Sequence, residues 1–182
     1  MSKAACKFLG KAKGGAGGPA PAVAAAVAAL HAGRARDLEA TGALADAAKH
    51  YAVGGRPAEY ARLLGAWAAL GLAGEADLFG ARAVLHLLAL GKGRMGEAQE
   101  LHGALAVSGL LAHRSPLEHF LLLVFELQGL VDSYTVGKSG ASAAYSALLS
   151  SYRPSLAGRD SRIFALAQRV GTLHFGVPPP PN

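Results

Sequence analysis

Glycine and proline punctuate this chain at roughly helix-length intervals, and that spacing restricts its possible folds more than any other feature. Between the stops lie stretches rich in alanine and leucine, with apolar residues recurring three or four positions apart, the period of one helix face. PAVAAAVAALHAGRARDLEA aligns Val23, Val27 and Leu30, with Gly33 a weak point in its middle. GALADAAKHYAVGG aligns Leu44, Ala48 and Tyr51 before a Gly-Gly stop. PAEYARLLGAWAALG opens at Pro57, which suits a first helical turn, and spaces Tyr60, Leu64 and Trp67 along one side.

The pattern continues downstream. GEADLFGARAVLHLLALG sets Leu78, Ala81, Val84, Leu85 and Leu88 in register, and GRMGEAQELHGALAVSG follows as a more polar helix with Met95, Ala98, Leu101 and Leu105. SPLEHFLLLVFELQGL begins with Ser115 as N-cap, Pro116 and Glu118. It is apolar nearly all round from Phe120 to Phe125, which predicts burial between neighbours. VDSYTVGKSG reads as a loop. ASAAYSALLSSYRP and RDSRIFALAQRVGTLHF read as two further helices parted by a turn at Pro154. At the end of the second, Gly176 permits a left-handed cap and the prolines after it forbid continuation.

About eight helices joined by short stops, paired in order, give four hairpins. GALADAAKHYAVGGRP has the small-residue and aromatic spacing of a tetratricopeptide second helix, but later pairs do not repeat it. The expected fold is therefore all-α, an irregular tetratricopeptide-like α-solenoid, with a compact helical bundle as the alternative. Its expected limits are 22–177, after a flexible basic Gly/Pro-rich segment over 1–21 and before a proline tail over 178–182.

Composition narrows the function classes. The longest apolar run, 120–125, is far short of the roughly 20 residues that cross a bilayer, and MSKAACKFLGKAKGG has no apolar signal region. The single cysteine excludes an internal disulfide framework and suits a reducing compartment. The formal charge is +6, but the Lys and Arg residues are scattered and lack interleaved aromatics, so a solvated surface is favoured over a nucleic-acid footprint.

The most tempting chemical motif is VGKS, Val136 to Ser139, because GKS ends a phosphate-binding loop. Such a loop needs a glycine where this chain has Asp132, and a strand where it reads helix. The histidines, His31, His50, His86, His102, His113, His119 and His174, show neither zinc-protease nor Cys-His spacing. The acidic residues gather near helix starts, where capping accounts for them. The sequence thus predicts no enzyme, no catalytic residues, no metal and no cofactor. What remains is surface for partners. The apolar segments over 117–130 and 163–175 either fill the core or form a groove for another chain's helix.

Four segments in order, ADLFGARAVLHLLALG, SPLEHFLLLVFELQ, YSALLSSYRPSLAGRD and RVGTLHFGVPP, resemble the C-terminal half of the Golgi-to-ER traffic protein four family. The likeness is strongest over 82–90, at the turn of Tyr152, Arg153, Pro154, Ser155 and Leu156, and over 171–179. The family is a cytosolic, non-catalytic scaffold in the guided entry of tail-anchored proteins. The resemblance implies a site for a ubiquitin-like adaptor on this half, and the expected partner-binding residues are Leu117, Phe120, Leu121, Val124, Phe125, Phe175 and Val177. The half that docks the targeting ATPase is not matched, so that partner is not expected. Neither nucleic acid nor direct membrane insertion is expected. The alternatives are a generic tetratricopeptide-like scaffold with an unrelated partner and a nucleotide-binding protein using VGKS.

Overall fold

The computed structural model describes residues 21–72, 74–111 and 115–179. Positions 1–20 of the basic segment read over 1–21, His113 and the last prolines at 180–181 lie outside them. Among the described residues the chain is all-α, with helices α1 (Pro21–Ala40), α2 (Leu44–Gly54), α3 (Pro57–Ala68), α4 (Ala76–Leu90), α5 (Met95–Val107), α6 (Pro116–Asp132), α7 (Lys138–Ala157) and α8 (Ser161–Val170). A 3-10 turn, Lys92–Arg94, leads into α5, and a π-turn, Gly171–Phe175, prolongs α8. No described helix is long and apolar enough to cross a membrane. The packing is that of an irregular α-solenoid.

Helix pairing follows chain order only in part. α1 packs on α2, α3 touches α4, and α7 packs on α8, as in-order hairpins require. The expected α5–α6 hairpin is replaced: α5 packs back on α3 and α4, and α6 packs on α7 and α4. Two features explain this. The chain leaving α5 tucks Leu110 and Leu111 into the core. Leu111 lies so close to α4 that a Cβ at Gly80 would sit 2.9 Å from its side chain, so only glycine admits the approach. α4 thereby becomes the hub, burying Leu78, Val84, Leu85, Leu87 and Leu88.

The sparse charges fasten α8 to that hub. Arg159, in the α7–α8 turn, donates to both Asp77 carboxylate oxygens at 2.6 and 2.9 Å and to the Gly74 carbonyl at 2.8 Å. Arg82 on α4 pairs with Asp160, which also caps α8 by accepting from the Arg162 N–H at 2.8 Å. At the other end, Arg169 Nε–H donates to the Ala89 carbonyl at 3.0 Å and His174 Nε2–H to the Leu88 carbonyl at 2.9 Å. A bidentate Arg–carboxylate fork adds orientation as well as energy. α8 is therefore held on α4 at both ends.

Two local expectations are corrected. Pro154 makes no turn: α7 runs through it to Ala157. The proline gives up the backbone bond to the Ser150 carbonyl that any other residue there would make. Tertiary contacts hold the helix there: Leu156 is buried, Tyr152 packs on Phe120 at 5.6 Å, and the Arg153 guanidinium lies 5.5 Å over the Phe164 ring. The stretch read as a loop from Val131 shrinks to 133–137, because α6 extends through Asp132 and α7 starts at Lys138. Gly33 does not interrupt α1.

Candidate partner-binding surface

α6 starts as the sequence dictates. Ser115 Oγ accepts from the Glu118 N–H at 3.1 Å, with Pro116 in the first turn. Its inner face buries Leu117, Phe120, Leu121, Val124 and Leu127. Phe120 packs edge-on against Tyr145 at 6.3 Å, and Tyr145 stacks flat on Phe175 at 4.6 Å. The three rings run from α6 through α7 to the closing turn.

The closing turn is built around that stack. Tyr145 O–H donates to the Ala167 carbonyl at 2.8 Å, so its one polar atom is satisfied in the interior. Burial pushes the Tyr145 phenol well above its ordinary range, and it stays a neutral donor. Gly171 lies against the ring, where a Cβ would come within 2.7 Å of Tyr145 Cε1. Gly176 takes a left-handed φ of 70°, and the Val177 N–H returns to the Gly171 carbonyl at 3.1 Å.

Of the residues expected to meet a partner, Leu117, Phe120, Leu121, Val124 and Phe175 are therefore interior, and Phe125 and Val177 are half-buried. The exposed side of this helix carries a different set. The outer face of α6, read as buried from its all-round apolarity, leaves Leu122 44% exposed. Phe125 packs edge-on against His102 of α5 at 5.5 Å, and Val107 at the end of α5 is 92% exposed. Burial holds the His102 imidazole below its ordinary pKa, although Glu118 pulls the other way. Its Nε2 is buried without a hydrogen-bond partner among the described residues. Leu122 and Phe125 thus lie about one helical turn apart on α6, with the neutral His102 imidazole beside Phe125. Leu122 and Val107 carried no special signal in sequence, since periodicity within an all-apolar run does not say which side faces out.

VGKS begins α7. Gly137 is its N-cap in extended backbone, with Lys138 and Ser139 in the first turn, and α6 precedes it, not a strand. Lys138, Ser139 and the closing turn line a hollow of about 830 Å³. Among the described residues, no group of three or more His, Cys, Asp or Glu side chains could hold a metal ion.

An all-α, solenoid-like chain with an open apolar strip on one helix is the class these features define. A family model described as Golgi to ER traffic protein 4 matches residues 22–182, and the chain belongs to that family. A search for curated relatives finds no match.

Proposed function

We infer that this protein is a non-catalytic cytosolic scaffold in the targeting of tail-anchored membrane proteins, and that it holds a ubiquitin-like adaptor against the α5–α6 strip. Membership of the Golgi-to-ER traffic family supports the pathway. The single structural observation that supports the contact is the exposed Leu122 of α6, one turn from the half-buried Phe125. Exposed apolar side chains clustered beside half-buried aromatics are a common form of protein-binding patch. The role needs no reacting groups: the interior rings and clamps keep α6 rigid, and a rigid face loses little entropy when a partner docks.

The test is co-purification of the full chain with its cognate ubiquitin-like adaptor, using wild type and Leu122→Asp. The wild type should retain the adaptor and the variant should lose it while remaining folded by circular dichroism. Undiminished retention by Leu122→Asp would refute this location. A folded wild type that retains no adaptor would refute the role.

A further inference from the structure

A second surface lies away from α6. α2 and α8 both pack on α4 without packing closely on each other, which leaves a trough of about 590 Å³ above α4, walled by α2 and α3 on one side and α8 on the other. Its apolar lining includes Leu64, Trp67, Phe79 and Leu166. Trp67 packs edge-on against Phe79 at 5.3 Å, and the Arg82 guanidinium lies 6.0 Å over the Phe79 ring. Trp67 and Phe79 also line a neighbouring hollow of about 420 Å³ that reaches Leu70, itself well exposed, so the apolar surface continues past the trough.

Charge around the trough is one-sided. Lys49 of α2, Arg82 of α4, and Arg162 and Arg169 of α8 line it together with His86, and among the described residues no carboxylate does. Asp46 and Asp160 stand just outside, paired with Lys49 and Arg82. Burial lowers the His86 pKa, and Arg169 lowers it further, so that ring adds no cation at neutral pH. Residues from four helices, far apart in sequence, thus build an apolar floor under a cationic rim.

We propose that this trough docks an acidic amphipathic helix of a partner protein. The apolar face of such a helix would lie on Trp67, Phe79 and Leu166, and its Glu and Asp residues would meet Lys49, Arg162 and Arg169. Charge complementarity selects the occupant. The chain's own 1–20 segment, with Lys3, Lys7, Lys11 and Lys13 and no acid, has the wrong sign. Helix-in-groove recognition uses this combination of apolar anchors and flanking charges, and a tryptophan in a partly covered pocket is a frequent anchor.

Trp67 is the only tryptophan in the chain, so its emission reports on the trough directly. The experiment titrates the full chain with a synthetic helical peptide carrying leucines three and four apart on one face and glutamates on the other. A second peptide has lysine at every glutamate position. The acidic peptide should shift Trp67 emission and bind at least about tenfold tighter than its charge-reversed twin. Its binding should weaken once salt shortens the Debye length to about 3 Å.

Lys49→Glu combined with Arg162→Glu, both at exposed positions, should reduce binding about tenfold or more with the circular dichroism spectrum unchanged. Leu122→Asp should leave it intact, which separates this surface from the adaptor strip. Equal binding of both peptides, or no emission change with either, would overturn the proposal. So would binding to phosphatidylserine vesicles with the acidic peptide ignored. An emission shift on deleting residues 2–20, without a peptide response, would assign the trough to the chain itself and overturn it too.

Discussion

Gly171→Ala isolates the packing that seals the last helices. Gly171 has helical backbone, φ −55° and ψ −46°, so alanine there should gain helix propensity of about 1 kcal/mol. Against this, the new Cβ would stand 2.7 Å from Tyr145 Cε1 and 2.9 Å from Cδ1. Carbon atoms prefer separations of about 3.5–4.0 Å, so the ring must retreat by nearly an ångström. Retreat is blocked because Tyr145 is fully buried, stacked on Phe175, and tied to the Ala167 carbonyl. Overpacking of a full core costs about 1–3 kcal/mol, and the clash here falls in the upper part of that range. The net expectation is a loss of about 1–2 kcal/mol, or a few degrees in Tm for a chain of this size. Urea unfolding followed by circular dichroism reads it, with the midpoint falling and the slope unchanged. In a Tyr145→Leu background the same substitution should cost measurably less, since the obstructing ring is gone. A Gly171→Ala protein as stable as wild type, or more so, would refute the reasoning.

Phe120→Asp should abolish folding, because it puts a carboxylate into a fully buried ring site, whereas Leu122→Asp two residues on should change stability by under about 1 kcal/mol; thermal melts of the pair check both. His86 and His102 are both lowered from 6.5 in the fold, burial being the larger cause for each. The unfolded chain therefore binds their protons first, so stability should fall as pH drops below about 6.5, and His102→Gln should flatten that slope in urea titrations from pH 7 to 5. For Asp160 burial pulls the pKa up, but the Arg82 bond and the Arg162 N–H outweigh it and the net shift is downward. Its contribution is present above the ordinary 3.8 and lost as pH falls through the lower folded value. Asp160→Asn, which keeps a capping oxygen but removes the charge facing Arg82, should cost about 1 kcal/mol at pH 7 and progressively less as pH falls below 3.8, by chemical denaturation.

The helices were legible because their signals are local. Ser115-Pro116 with Glu118, the double glycine after Val53, and Gly176 before the prolines each act within one turn, and each marks an end in the structure. Pro154 misled because its local signal is overruled at a distance by Leu156, Tyr152 and the Arg153–Phe164 contact. The exchange of helix partners was not legible either. The small size of Gly80 matters only because Leu111 arrives against it, and nothing in the α5 sequence announces that arrival.

The same limit applies to function. Apolarity over 117–125 marked α6 as important, but periodicity alone did not say which side would face in. The structure puts Phe120 and Val124 inside and leaves Leu122 open, a distinction that depends on which side of α6 packs on α4 and α7. The basic residues looked scattered because their sequence separations are large. Lys49, Arg82, Arg162 and Arg169 come together only when α8 folds back over α4, so a local scan for basic clusters passes over them.

Amide hydrogen exchange of the full chain, with and without the proposed ubiquitin-like adaptor, tests the central claim most directly. Adaptor binding at the α5–α6 strip predicts slowed exchange across Met95–Val107 and Pro116–Asp132, with α1 and α2 unchanged. Protection confined to α1 and α2, or no protection at saturating adaptor, would contradict it.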